Sequence, residues 1–207
     1  MNTKIFSIIL LFLFGIIFIN LSYSTSEGLT VYSNSQMGIE FKYPSIWELD
    51  SDTTTDKNCD PFCSVSFKIP SDGIIPVFIH SYNLNHPSIA SKCLCTTLKQ
   101  FVKWAYNLEP VTVLVRLSGE VIYDKPIVIN NNISSWEMES KFKPGILNER
   151  QTYYFWTLHN DIGYFISYAA DEGIQYEKYL PEVKDMIGST KFLPIEIPKR
   201  NIPSFLQ

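Results

Sequence analysis

The positions of apolar side chains along the chain predict a mixed α and β protein in which strands prevail. Short runs of alternating, β-branched or aromatic residues predict strands at residues 29–33, 38–43, 65–69, 77–82, 126–130, 134–142, 150–159, 162–169 and 191–193. In the second run Ile39, Phe41 and Tyr43 share one face, because successive strand side chains point to opposite sides. Two of the later runs meet at Asn160-Asp161, and this junction predicts a β-hairpin.

Two segments have the helical period instead. Residues 97–108 place their apolar side chains on one helical face, with Thr97 as N-cap and Gln100 three residues later in a capping-box pattern. Residues 176–187 carry a second apolar stripe. Because Pro181 falls inside that stripe, this helix is expected either to begin at the proline or to be kinked by it.

The predicted strand at 150–159 contains four consecutive aromatic residues, Tyr153 to Trp156. Strand geometry divides them between the two faces of a sheet. One face is expected to belong to the core, and the other to be covered by a helix or exposed as a binding patch. In the following strand Gly163 indicates a close backbone approach or a bulge.

The amino terminus has the layout of a secretory signal. Lys4 precedes an apolar run at residues 5–19, and the small-residue pattern Ser22-Tyr23-Ser24 predicts cleavage after Ser24. The alternative is an uncleaved membrane anchor, because residues 5–21 approach the minimum of about 17 residues for a spanning helix. Both alternatives make the remaining chain secreted or attached to the outer face of the cytoplasmic membrane.

Composition and charge narrow the function classes. The chain has 207 residues, 45% of them hydrophobic, and a net charge of −4, which excludes a disordered, collagen-like or multi-span membrane protein. Residues 1–24 hold one of the 17 basic groups and none of the 21 acidic groups, so the rest has a net charge of −5. This acidic balance argues against a nucleic-acid ligand. We expect a single domain at residues 25–194 and a flexible, proline-containing tail at 195–207.

Four cysteines form the one chemically distinctive group in the sequence. Cys59 and Cys63 lie in a polar segment, and Cys93 and Cys95 precede the first predicted helix. In an exported domain an even number of cysteines predicts disulfides. Since a Cys93–Cys95 bridge would close a very tight ring, cross-links between the two pairs are the favoured connectivity. Their loops of about 30 residues would contribute about 3–4 kcal/mol to stability.

The same cysteines could instead have a chemical function. Four thiolates could bind zinc or cuprous copper, with His80 and His86 nearby, or a cysteine pair could be redox-active. Against a metal site, a C-x-C sequence in an extended segment would direct its side chains to opposite faces, and the spacing is not that of a zinc finger. We therefore predict no metal and no cofactor, and retain a thiol-redox or metal-handling protein as the alternative function.

Two further motifs have a simple interpretation. His159 and Asp161 flank the predicted hairpin turn and could suggest an acid/base pair, but turn formers are common there and no nucleophile motif accompanies them. No catalytic residue is therefore assigned. Asn132-Ile133-Ser134 is a glycosylation sequon in a polar segment, which makes Asn132 a glycosylation candidate.

Several short motifs resemble those of PsbP-like proteins, the family of the extrinsic photosystem II subunit and its relatives outside photosynthesis. The first is the strand motif Gly38-Ile39-Glu40-Phe41-Lys42-Tyr43-Pro44 followed by Trp47. The carboxyl-terminal motifs that resemble the family's last hairpin and closing helix are Gly163-Tyr164, Tyr168, Tyr179-Leu180-Pro181 and Met186-Ile187-Gly188-Ser189. Together the resemblance covers most of residues 38–192.

This resemblance implies an α+β fold, with an antiparallel β-sheet flanked by helices in an α/β/α sandwich after the N-terminal signal or anchor helix. It also implies a non-enzymatic accessory or binding protein, whose partner is a membrane-associated or extracytoplasmic protein. The motifs are aromatic, glycine and proline residues that belong to core and turns, so the resemblance implies no catalytic residue. The chain departs from the family's lipoproteins, because no cysteine stands directly after its apolar segment to accept a lipid.

Overall fold

A computed structural model describes residues 28–55, 59, 61–70, 75–108, 119–129, 132–142, 149–171 and 173–195. Its strands are β1 (Leu29–Asn34), β2 (Ile39–Pro44), β3 (Glu48–Asp52), β4 (Phe62–Ile69), β5 (Ile75–Asn83), β6 (Gly119–Ile129), β7 (Ile133–Phe142), β8 (Arg150–His159), β9 (Ile162–Asp171) and β10 (Lys191–Phe192). Its helices are α1 (Pro87–Cys93), α2 (Leu98–Leu108) and α3 (Ile174–Gly188), and Thr53–Thr55 forms a 3₁₀ turn.

The described strands form two antiparallel sheets. The larger sheet has the order β3-β4-β5-β9-β8-β7-β6, and the smaller one has the order β1-β2-β10. Helix α3 and the small sheet pack on one face of the large sheet, and α2, with α1 against it, packs on the other. The α+β class and the helix-flanked antiparallel sheet expected from the sequence are confirmed.

The core beneath α3 joins the two sheets. Phe41 of β2 lies with its ring centroid 5.8 Å from that of Phe67 on β4, in an edge-to-face arrangement. The indole of Trp47 donates a hydrogen bond of 3.2 Å to Glu182 on α3. Tyr164 of β9 donates to the backbone oxygen of Met37 at 2.8 Å. These contacts explain why the strand motif around residue 41 and the closing helix belong to one core.

The core beneath α2 lies on the opposite face of the large sheet. Phe101 and Ala105 of α2 are fully buried there against Trp156 and Phe165. A Cβ atom on Gly163 would lie 2.8 Å from Cδ2 of the Phe101 ring, which is closer than carbon atoms pack. The expected close approach at Gly163 is therefore confirmed, and the neighbour that requires it is a helix residue.

The four consecutive aromatic residues of β8 are all buried. Tyr153 and Phe155 belong to the core beneath α3, and Tyr154 and Trp156 to the core beneath α2. Strand alternation divided them as predicted, and helices cover both faces. The alternative in which one face is an exposed binding patch is wrong.

Two local predictions are confirmed in atomic detail. The Thr97 hydroxyl accepts a hydrogen bond of 3.3 Å from the backbone N–H of Gln100, whose side chain accepts from the Thr97 N–H at 3.1 Å. This is the reciprocal capping box. The hairpin between β8 and β9 turns at Asn160 and Asp161, with φ values of 48° and 61°. Two consecutive positive φ values are the requirement of a tight type I′ turn.

Some elements differ from the predictions. Strand β3 was missed because its sequence, ELDSD, is polar, and its pairing with β4 makes it a strand. Helix α1 was also missed; it is short, and the side chain of His86 caps it. Helix α3 begins seven residues before Pro181, so the alternative in which it starts at this proline is wrong. Residues 1–24 and 196–207 lie outside the described residues.

Within the described part of the chain, no helix combines the length and the apolar composition needed to cross a membrane.

Candidate functional site

The structure joins the cysteines within each pair. Cys59 is bonded to Cys63 and Cys93 to Cys95, with Cα–Cα distances of 4.8 and 5.0 Å. The expected cross-links between the pairs are therefore wrong. The first pair belongs to the core beneath α3 and the second packs against the core beneath α2, so the large sheet separates them.

Local backbone geometry explains the tight C-x-C bridge. Cys93 ends α1, and Leu94 adopts the left-handed conformation with φ 47° and ψ 32°. The segment is therefore turned and not extended, and both sulfur atoms reach the same side. Because the sheet separates the pairs, the four sulfur atoms do not form one metal site. Among the described residues, no group of three or more His, Cys, Asp or Glu side chains could hold a metal ion.

Disulfide mapping tests this connectivity. Trypsin cleaves after Lys68 and Lys92, which lie between the pairs, so a non-reduced digest is expected to give separate peptides 58–68 and 93–99. Each peptide should be lighter by two hydrogens than its reduced form. Because the rings are short, reduction should lower the free energy of unfolding by only about 2 kcal/mol per bridge. A disulfide-linked pair of these peptides would contradict the connectivity.

The histidines have structural contacts. His159 stacks on Phe192 with ring centroids 4.5 Å apart. Asp161 accepts a hydrogen bond of 3.1 Å from the Asn85 amide. His80 lies in an aromatic group with its ring centroid 5.0 Å from that of Phe62, and His86 caps α1. His159 and Asp161 therefore lie at the β8–β9 hairpin turn, as the sequence predicted.

Asn132 is exposed, with a positive φ of 61°, immediately before β7. This position is accessible to a modifying enzyme, and Asn132 stays a predicted glycosylation site. Mass spectrometry of the native protein should detect the added glycan, and an Asn132→Gln variant should lack it.

The most distinctive polar group was not identified from the sequence. It lies on the α3-facing side of β6, β7 and β8, and we call it the carboxylate cluster. Its members are Glu137, Glu139, Tyr123, Tyr153, Tyr176, Gln151 and Lys125. At its centre is Glu137, a carboxylate whose residue is only 8% exposed. Acidic residues are rarely buried to this extent unless they are paired.

Hydrogen bonds and an ion pair hold the two carboxylates in place. Tyr153 donates its hydroxyl proton to Glu137 Oε2 at 3.0 Å, and Lys125 Nζ lies 3.3 Å from Glu137 Oε1. Gln151 donates its amide N–H to Glu139. Lys125 is directly opposite Glu137 in the β6–β7 register, which brings its ammonium group to the carboxylate. The lysine side chain is 56% exposed, so the pair joins a buried anion to a solvent-accessible cation.

Two aromatic rings of the cluster also contact lysine ammonium groups of the same chain. Lys125 Nζ lies 4.8 Å from the centre of the Tyr123 ring, and Lys184 of α3 lies 5.0 Å from that of Tyr153. A cation over an aromatic ring is attracted by the negative face of the ring. The carboxylates and the tyrosine rings of the cluster therefore both attract lysine ammonium groups.

The tyrosine hydroxyls of the cluster remain protonated at neutral pH. Burial, followed by the charge of Glu137, raises the pKa of Tyr123 and of Tyr153 far above the ordinary value. Burial and then the charge of Glu139 raise the pKa of Tyr176 in the same direction. These groups are therefore neutral hydrogen-bonding groups beside the carboxylates.

The sequence contained part of the signal for this site. Glu137 and Glu139 alternate with Trp136 and Met138, so a strand places both carboxylates on one face. Alternation does not reveal that α3 covers this face or that Tyr176 approaches it from a distant part of the chain. Ordinary strand patterning also predicts the acidic face to be exposed.

Comparison with solved structures identifies the fold. The chain is similar to the cyanobacterial PsbP protein CyanoP of Synechocystis, with 15% identity and a TM-score of 0.52 over 83% of this chain and 96% of that one. It is similar to the Ran-binding protein Mog1p of Saccharomyces cerevisiae, with 7% identity and a TM-score of 0.50 over 81% and 97% of the two chains. The fold is therefore PsbP-like, as the sequence motifs implied.

A protein of Bacteroides thetaiotaomicron also has this arrangement, with 14% identity and a TM-score of 0.50 over 80% of this chain. The chain spans about half of that protein, 48% of its length. No family model matches the chain, and no curated protein matches it. At these identities the likeness concerns the fold, and the function must be argued from the site.

Proposed function

We propose that this chain is a non-enzymatic accessory protein that acts outside the cytoplasm and binds a membrane-associated protein partner. Residues 1–24 would export or anchor the domain at 25–194, followed by the tail at 195–207. The two disulfides support this location, because such bonds persist in oxidising compartments.

The observation that carries the binding role is the carboxylate cluster. The ion pair of Lys125 and Glu137 contributes little net stability, because the exposed lysine is screened by water and the carboxylate is desolvated. The Glu137 side chain is nevertheless buried, with its carboxyl oxygens in contact with a tyrosine hydroxyl and a lysine ammonium group. The neighbouring tyrosines have pKa values raised by burial, and groups with shifted pKa values are common at functional sites. The fold adds support, because it is shared with a protein described as Ran-binding.

Capture from native membranes tests the proposal. The full chain, exported with its own N-terminal segment and left unreduced, serves as bait. We expect a membrane-associated protein to be recovered in a saturable manner, and excess free protein to compete for it. Recovery that neither saturates nor is competed would overturn the binding role. Sequencing the amino terminus of the same material should show a cut after Ser24 if the signal is removed.

A further inference from the structure

The two disulfides of this chain lie in different surroundings. Cys59 and Cys63 are 9% and 6% exposed and belong to the core beneath α3. Cys93 and Cys95 are partly exposed and lie where α1 is linked to α2. The neighbouring residues 91, 92, 94, 96 and 97 are all exposed. A dissolved thiol can therefore approach the second bridge in the folded protein, whereas the core covers the first.

The backbone inside the second bridge is strained. Leu94 stands between the two cysteines in the left-handed conformation, with φ 47° and ψ 32°. Among the described residues, the other positive φ values outside glycine belong to Asn132, Asn160 and Asp161. Asparagine and aspartate tolerate this conformation, but the Cβ atom of a leucine crowds the following carbonyl oxygen. Residues held in such a conformation concentrate at functional sites.

Both helices beside this bridge are held by hydrogen bonds that use no sulfur atom. Helix α1 begins at the side-chain cap of His86, and near its end the Leu94 N–H donates to the Ala90 oxygen at 3.3 Å. Helix α2 begins at the capping box of Thr97 and Gln100. A bridge between residues two apart also restricts the unfolded chain less than a bridge that closes a long loop. The Cys93–Cys95 bond is therefore a weak staple.

We propose that the Cys93–Cys95 bridge is a thiol–disulfide exchange site that oxidises a cysteine pair of another polypeptide. This chemistry is separate from the binding role proposed above. Opening the ring releases Leu94 from its strained conformation, which favours the reduced form over that of an unstrained bridge. Strained or exposed disulfides are the more oxidising ones. The Leu94 side chain is 77% exposed and offers apolar contact to the incoming polypeptide.

The exchange takes place in two balanced steps. A thiolate of the incoming cysteine pair attacks one sulfur atom of the bridge, the bond between the two bridge sulfur atoms breaks, and the displaced thiolate takes a proton. The second thiol of the incoming pair loses its proton and attacks the mixed disulfide, and the released cysteine takes a proton in turn. The incoming pair has then lost two electrons and two protons and forms a disulfide, and Cys93 and Cys95 have gained them.

The direct test is partial reduction of the full chain with dithiothreitol at neutral pH, stopped at intervals by acid and followed by alkylation. Mass spectrometry of the tryptic peptides 58–68 and 93–99 follows the two bridges separately in one sample. We expect the bridge in peptide 93–99 to be reduced at least about tenfold faster, while circular dichroism shows an unchanged fold. The buried bridge is the matched control within the same chain.

A synthetic Cys-X-X-Cys peptide in its reduced form measures the exchange itself. With oxygen and metal ions excluded, one peptide disulfide should form for each Cys93–Cys95 bridge that is reduced. The double variant Cys93→Ser with Cys95→Ser should form none, although it keeps the buried bridge. Circular dichroism verifies that the variant is folded. If it is not, the comparison of the two bridges in wild type decides.

Variants of Leu94 test the source of the oxidising tendency. Glycine adopts the left-handed conformation without the Cβ penalty, so Leu94→Gly should make the bridge severalfold harder to reduce at equilibrium in a glutathione buffer. Leu94→Ala is the matched control. It keeps the Cβ atom, and its equilibrium should stay close to that of wild type.

Three outcomes would overturn the inference. Equal reduction rates for the two bridges, or reduction of Cys93–Cys95 only as the protein unfolds, would make this bond an ordinary staple. Oxidation of the peptide by the double serine variant would assign the exchange to another group. Equal reduction of Leu94→Gly and Leu94→Ala would remove the strain that favours opening of the ring.

Discussion

Raising the pH above 10 is expected to lower the free energy of unfolding steadily and to unfold this protein cooperatively at about pH 11 or above. Four fully buried tyrosines cause the effect, and burial is the largest reason that their pKa values are raised: Tyr153, Tyr164, Tyr168 and Tyr176. In the unfolded chain a tyrosine loses its proton near its ordinary pKa of about 10. The folded state keeps the proton at that pH.

The direction follows from proton binding. Above pH 10 the unfolded state binds fewer protons than the folded state, so the free energy of unfolding falls as the pH rises. The contribution of each tyrosine is fully present below pH 10. By about pH 11 each has lost about 1.4 kcal/mol, and the four together on the order of 6 kcal/mol. Typical domains have a total stability of only about 5–15 kcal/mol.

Tyrosinate absorbance at 295 nm and far-UV circular dichroism measure this transition together. The two signals should change at the same pH. Tyr176→Phe is a matched variant, because it removes one titrating hydroxyl and keeps the buried aromatic ring. Relative to its own stability at neutral pH, the variant should lose about 1.4 kcal/mol less than wild type near pH 11. Titration of all tyrosines near pH 10 with the fold intact would contradict the expectation.

Replacing Gly163 by alanine is expected to lower the free energy of unfolding by about 3 kcal/mol. The new Cβ atom would lie 2.8 Å from Cδ2 of Phe101, and that ring is fully buried between α2 and the sheet. Neither the strand backbone nor the packed ring can move without disturbing its neighbours. Denaturant unfolding under oxidising conditions measures the change.

Two variants make this test specific. Gly28→Ala is the control, because its Cβ atom would meet Ser45 Oγ at an ordinary distance of 3.5 Å, and the effect should stay within about 0.5 kcal/mol. Combining Gly163→Ala with Phe101→Leu should be less damaging than the sum of the two single changes, because the smaller side chain makes room. Strict additivity would show that the ring is not the cause.

Local patterns predicted many elements correctly. The capping box at Thr97 and the turn at Asn160-Asp161 depend on side chains and backbone angles within a few residues. The alternation of aromatic residues in β8 likewise depends on backbone geometry alone. Strand β3 escaped prediction because its polar sequence becomes a strand only through pairing with β4.

The predictions that failed concern contacts between distant residues. Cross-links between the cysteine pairs were favoured because a C-x-C ring is tight in an extended segment. The left-handed conformation of Leu94 makes that ring possible, and the large sheet keeps the pairs apart. The carboxylate cluster was missed because Tyr176 comes from α3, more than thirty residues after Glu139.

The sequence by itself determined the class of fold, the hairpin, the capped helix, the candidate export segment and the sharing of strand faces. All of these follow from short-range periodicity and local backbone preference. The tertiary structure alone decided which sulfur atoms meet, why residue 163 is glycine, and that two carboxylates become a partly buried site for positive charge. Those properties depend on what packs over each face of the sheet, and the covering residues come from far along the chain.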